Sequence, residues 1–164
     1  MDARREREPS LERTTAERTS DREIVIRRTF NAPARIVFEA WTRPELFKRW
    51  WAPKSSGMSI LSCEMDVRVG GKYRIAFGKG GAESMAFFGK YLEVTPHSRL
   101  VWTNEEGGDG GPITTVTFEE RAGKTLLALT EVHTSKQCLD DNLGFADGLR
   151  ETFGQLDELL ASLP

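Results

Sequence analysis

Sulfur and imidazole are scarce in this chain. Its two cysteines, Cys63 and Cys138, form no CxxC pair, and its two histidines, His97 and His133, fall at a turn and a strand end. Neither set has zinc-ligand spacing, so no metal is expected, and no cofactor motif is present. Two distant thiols make no disulfide framework; they read as reduced cysteines of a cytoplasmic protein. Charge is nearly balanced, 23 Lys and Arg against 25 Asp and Glu, so the basic stripe that nucleic acid requires is missing. No apolar run approaches the roughly 20 residues of a membrane span, and the N-terminus lacks the apolar centre of a secretory signal. There is no GxSxG. The glycine clusters "GKGGAE" and "EGGDGGP" match neither phosphate-loop pattern and read as hairpin loops.

What remains is one domain with a tail. Residues 1–22 alternate arginine with acids around a single large aliphatic, Leu11, and cannot bury enough surface to offset ordering entropy. They are expected to be a flexible tail with at most transient helix, and residues 23–164 a single domain. That domain opens on a β-branched run, "EIVIRRTF", which reads as a strand. "PARIVFEAWT" then has helical spacing, and Thr42-Arg43-Pro44-Glu45 matches a capping box that starts a second helix, ended by Pro53. Three tryptophans, Trp41, Trp50 and Trp51, lie within eleven residues of this helical corner. They are placed inward, with Lys48 and Arg49 turned to water.

From Met58 to His133 the apolar period falls to two, with turn residues every ten or so positions. That pattern implies an antiparallel meander of about six strands, on one face of which Tyr73, Ile75 and Phe77 alternate. Asp66 and Arg68 form a same-face ion pair before Gly70-Gly71. From about Leu139 to Leu163, Ala146, Leu149, Phe153, Leu156, Leu160 and Leu163 make one apolar stripe of a long helix laid over the sheet. The fold class is therefore α+β.

The polar and small residues allow two readings each. Gly144 and Gly148 share a helix face at a cost of up to about 1 kcal/mol each relative to alanine. They serve either close backbone packing or empty space. Glu131 and His133 alternate in phase with Leu127 and Leu129. A buried Glu131 would be a ligand anchor or a general acid/base; otherwise it is an edge carboxylate in water. With Trp102, Leu129, Phe145 and Phe153, the aromatics named above are expected to border a ligand pocket.

The order strand, two short helices, six strands, long helix resembles the helix-grip fold of the START/Bet v 1-like superfamily. The segments "FNAPARIVFEAWTRPELFKRWWAP", "MDVRVGGKYRI", "GKYLEVTPHSRLVWT", "TTVTFEE" and "GLRETFGQLDELLASL" are similar to its branch related to the activator of Hsp90 ATPase. The resemblance implies a curved sheet of six to seven strands gripping the C-terminal helix. The two short helices would plug one end of a cavity. It also implies binding of lipid-like or aromatic molecules, with cyclisation, dehydration or hydrolysis in some members, but transfers no catalytic motif. Three functions follow as expectations. The chosen one is binding of a small hydrophobic ligand. The alternatives are a cyclase- or hydrolase-type enzyme using Glu131 or His133, and a contact with a chaperone such as Hsp90. The Hsp90-activating members carry a further N-terminal domain, for which the tail is no substitute.

Overall fold

Strand pairing organises the chain, and its register follows from which side chains must leave water. The computed structural model describes residues 14–108 and 111–163. Its strands are β1 (Thr15–Arg18), β2 (Glu23–Phe30), β3 (Ser59–Met65), β4 (Lys72–Lys79), β5 (Ala82–Thr95), β6 (Arg99–Thr103), β7 (Ile113–Arg121) and β8 (Lys124–Val132). Its helices are α1 (Ala34–Thr42), α2 (Pro44–Phe47), α3 (Lys136–Asp141) and α4 (Gly144–Ser162), with one 3₁₀ turn at Lys54–Ser56. The strands form a single antiparallel sheet in the order β1-β2-β8-β7-β6-β5-β4-β3. Pairing of β2 with β8 sets Ile26 opposite Leu129 and Ile24 opposite Glu131. In β8 the buried positions are Thr125, Leu127, Leu129 and Glu131, while the residues between them are more exposed. That face therefore turns to the helix.

Turn chemistry closes the meander where expected. Gly80 and Gly81 both have positive φ, +61° and +84°, the backbone of a two-residue hairpin between β4 and β5. Gly71 is needed for a different reason. A Cβ there would sit 1.9 Å from the Asp66 carbonyl oxygen. Gly71→Ala is expected to cost about 2 kcal/mol by overpacking, read as a lower urea midpoint; an unchanged midpoint would contradict this contact. Arg68 Nε lies 2.9 and 3.0 Å from the two Asp66 carboxylate oxygens, but across the turn after β3 and in solvent.

Several expectations need correction. The sheet has eight strands, because Thr15–Arg18, placed above in the tail, pairs with Ile24–Arg27. Composition missed this strand because its warrant is backbone pairing of the β2 edge, not an apolar face of its own. Arg18 also reaches Asp140 at 2.8 Å, and Thr14 accepts from Arg28 at 3.1 Å. The rest of the expected tail, residues 1–13, lies outside the described residues. The capping box is absent: Arg43 is the cap of α2, Glu45 pairs with Arg43, and the Thr42 hydroxyl bonds back to the Phe38 carbonyl. The helix expected to reach Pro53 stops after Phe47. The chain then turns so that Trp50 donates its indole N–H to the Ala40 carbonyl, 2.9 Å, within the core. The last helix is also broken. Asn142 bonds back to the Cys138 carbonyl at 2.7 Å and ends α3, and Gly144 opens α4.

Helix α4 buries Ala146, Leu149, Phe153, Leu156 and Leu160 against the sheet. Arg28 of β2, 7% exposed, clamps it through Asp157 at 2.9 Å. No helix among the described residues is long and apolar enough to cross a membrane.

Candidate functional site

A hollow lies beside the N-terminal half of α4, between Gly148 and Leu149 of the helix and Phe77, Met85 and Phe87 of β4 and β5. Gly148 explains part of the gap: nothing lies within 4 Å of where its Cβ would be. Of the two readings of this glycine face, empty space is the one found. That reading holds for Gly148 alone: Gly144 also has no contact, but it is exposed at the helix start and borders no part of the hollow. Under α4, a section of about 250 Å³ is bordered by Gly148, Leu149, Met58 and Phe77. A larger section of about 380 Å³ extends past Trp102 and Phe145 to Glu106, Thr114 and Glu131. The two share Trp51, Met85, Phe87 and Phe145, so they are neighbouring parts of one space. A third, inner section of only about 50 Å³ reaches in among Trp41, Tyr73, Ile75 and Tyr91.

Aromatic packing holds the inner wall. Trp41 touches Trp50, Trp51 and Trp102 with ring centroids 4.9, 5.7 and 6.0 Å away. Gln155 of α4 fixes the loop that carries Trp51. It donates to the Trp50 and Ala52 carbonyls at 3.0 and 2.9 Å and accepts from the Lys54 N–H at 2.9 Å. Beside it Glu151 accepts from the Ser55 N–H at 2.8 Å. The Trp41 indole N–H, fully buried, finds no acceptor in the protein. An unmet donor of this kind costs about 1–3 kcal/mol, and the inner section has room for about one water or a ligand's polar tip.

The polar end is a chain of hydrogen bonds. Asn104 donates to the Pro112 carbonyl and to Thr114 Oγ1, at 3.0 and 2.9 Å. Thr114 donates to Glu131 Oε2 at 3.3 Å, and His133 Nε2 meets Glu131 Oε1 at 2.9 Å. His133 Nδ1 lies 3.3 Å from Cys138 Sγ. Glu131 is thus buried and not an edge carboxylate in water. His133 is 2% exposed with both ring nitrogens engaged, and lies behind Glu131, away from the hollow. That placement gives His133 no open nitrogen for acid/base work on a ligand.

The Glu131 bond, offset by burial, holds the His133 pKa above its ordinary value, and Cys138 adds to the rise. A raised imidazole pKa stabilises the fold below the unfolded value, about 6.5, and that contribution is lost as pH rises through the folded value. The melting-temperature gap between the native protein and His133→Gln should therefore be widest near pH 6 and shrink toward pH 9. A gap that widens toward pH 9 would contradict the ion pair. Neither cysteine is in a disulfide. Burial pushes the Cys63 thiol up to about 11, so its alkylation by iodoacetamide at pH 7.5 should lag an unperturbed thiol by about two orders of magnitude. Equal rates in peptide mass spectrometry would contradict that burial.

The residues singled out from sequence divide cleanly. Trp41, Tyr73 and Ile75 line the inner section, Phe77, Gly148 and Leu149 the section under α4, and Glu131 the larger one. Trp102 and Phe145 each line two sections, and Trp51 lines all three. Trp50, Leu129 and Phe153 are fully buried behind the hollow and line none of these sections, a correction to their expected place. Sequence reasoning missed Met85 and Phe87. Their alternation in "SMAFFGKYLEV" was visible, but Phe88 is apolar too and points outward, 39% exposed. It also missed Asn104, Glu106 and Thr114, which come from a loop and strand with no local signature.

A curved antiparallel sheet closed over a long C-terminal helix, with two short helices after an early strand, is a helix-grip fold. Proteins of this architecture form the START/Bet v 1-like superfamily. The chain belongs to the family described as Activator of Hsp90 ATPase homolog 1-like protein, whose model matches residues 31–161. Its fold is similar to that of a Rhodobacter sphaeroides protein with 22% identity and a TM-score of 0.83, covering 93% of this chain and 100% of that one. A Nitrosomonas europaea protein is similar at 25% identity and a TM-score of 0.76, covering 88% and 97%. A third similar structure belongs to the same named family, from Aeromonas hydrophila, at 24% identity and a TM-score of 0.67, covering 83% and 92%. No curated protein matches the sequence.

Proposed function

We propose that the protein binds a small, mainly apolar molecule in the hollow between α4 and the sheet. The observation that carries this reading is the space itself: a section of about 380 Å³ walled by Trp51, Phe87, Trp102 and Phe145, under a helix whose Gly148 faces emptiness. Ligand pockets of about 300–1,000 Å³ are mostly apolar with few polar groups, which is the composition here. Burying about 300 Å² of apolar ligand surface gives about 7 kcal/mol gross. Loss of ligand freedom takes back several, leaving affinities on the order of micromolar.

Intrinsic fluorescence tests this, because three of the four tryptophans border the space. Titration with 1-decanol and with a panel of fatty acids, sterols and polycyclic aromatics is expected to change the emission saturably, at one ligand per chain by native mass spectrometry. No saturable change across the panel would overturn the reading. A chaperone contact, to which the family's description points, is a surface property and predicts no such saturation.

A further inference from the structure

Charge is distributed unevenly around the hollow, and the imbalance bears on what enters it. Among the described residues, the charged side chains lining the three sections are Glu106 and Glu131, and no Lys, Arg or His lines any of them. Both acids border the larger section. Glu131 lies at the buried end, and Glu106 stands at the rim, accepting from the Phe88 N–H at 3.3 Å. Partial burial raises the Glu106 pKa, and the charge of Glu131 adds to the rise, so the two carboxylates act on one space.

Hydrogen-bond capacity points the same way. Most of the amide and hydroxyl donors around this section are spent inside the protein. Asn104 gives both hydrogens to Pro112 and Thr114, Thr114 gives its own to Glu131, and Asn142 gives one to the Cys138 carbonyl. Glu131 already accepts from Thr114 and pairs with His133, so the unused accepting capacity lies mainly with Glu106 and the Asn142 amide oxygen. Between them stand Trp51, Phe87, Trp102 and Phe145, whose ring faces carry the negative side of the aromatic quadrupole. Acceptors, carboxylates and ring faces all favour a cation and disfavour an anion.

We infer that the ligand is an organic cation: a protonated amine or quaternary ammonium group on an apolar body. The head sits between Glu106 and Glu131 against the indoles, and the body extends beneath α4 along Gly148. This inference rests on the ligand-binding reading above and narrows it to one class. A fatty acid would bring its carboxylate beside two others, so an anion of the same length is the natural counter-test.

The experiment compares decylamine, 1-decanol and decanoate, one apolar chain with three heads, by tryptophan fluorescence and calorimetry at pH 7 and low salt. Decylamine is expected to bind about ten times more tightly than decanol, and decanoate more weakly than either. Glu106→Gln keeps the size and the acceptor for Phe88, and should remove several-fold of the amine's advantage while leaving decanol unchanged. Glu131→Gln should act in the same direction; if it unfolds the protein, Glu106→Gln still decides. Decanoate binding as well as decylamine, or an amine-to-decanol ratio untouched by Glu106→Gln, would overturn the inference and leave the hydrophobic-ligand reading standing. Failure of all three probes to bind would overturn both.

Discussion

Gly148→Leu is expected to make the protein more stable and at the same time to close its hollow. Gly148 lies inside α4, where glycine costs about 1 kcal/mol relative to alanine or leucine. Its absent side chain has nothing within 4 Å to collide with, so the helix should gain that amount. The new side chain would enter the section of about 250 Å³ that Gly148 borders, in front of Phe77 and Met85. Binding of 1-decanol should fall at least about tenfold, one buried leucine's volume being enough to exclude several methylenes. Gly148→Ala is the control, with the same gain in stability and most of the binding retained. Urea denaturation and fluorescence titration read the two effects separately. If leucine costs stability, the region is filled rather than open; if binding persists undiminished, the ligand is elsewhere.

The second large effect lies on the far side of the helix. Asp157→Ala should cost about 3 kcal/mol, because it strands a buried guanidinium. Arg28 has a side chain only 6% exposed, its Nη2 lies 2.9 Å from Asp157, and its Nε has no partner even now. Thr14 supplies one other acceptor at 3.1 Å, which is not a counter-charge. Removing both members, as Arg28→Met with Asp157→Leu, should recover most of the loss, since a buried pair is often no better than well-packed apolar side chains. Urea midpoints of the two variants check this. A single variant within about 0.5 kcal/mol of the native protein would mean that water reaches Arg28 and the clamp is weak.

The reach of sequence reasoning differed between elements for physical reasons. β-Strands β2 to β8 were legible because short β-branched and aromatic runs such as "EIVIRRTF" and "KYRIAF" are bounded by turn residues, glycine in most of the turns and Pro96-His97 in another. The stripe on α4 was legible because Leu149, Phe153, Leu156 and Leu160 repeat at helical spacing. β-Strand β1 was hidden, since strand pairing of a backbone leaves no mark in a charged sequence. The end of α2 was hidden too, because a bond from the Trp50 indole to Ala40 outweighs the local helical pattern. At the site, periodicity placed Phe77 and Leu149 on the faces they occupy, but left Glu131 open because Leu126 and Val132 are apolar in the other phase. It did not separate Trp51, which borders every section of the hollow, from its neighbour Trp50, which is sealed in the core. Asn104, Glu106 and Thr114 reach the site through pairing of β6 with β7 and the connection between them, a long-range outcome.

The account depends on one claim, that the space beneath α4 is open and takes up a molecule. Nitrogen-15 correlation spectra of the tryptophan indoles during a 1-decanol titration test it most directly. The indole signals of Trp41, Trp51 and Trp102, which line the space, should move saturably and by the largest amounts. The Trp50 signal, held by the Ala40 carbonyl, should move least. Four unmoved indoles at saturating probe, or a response confined to Trp50, would contradict the account.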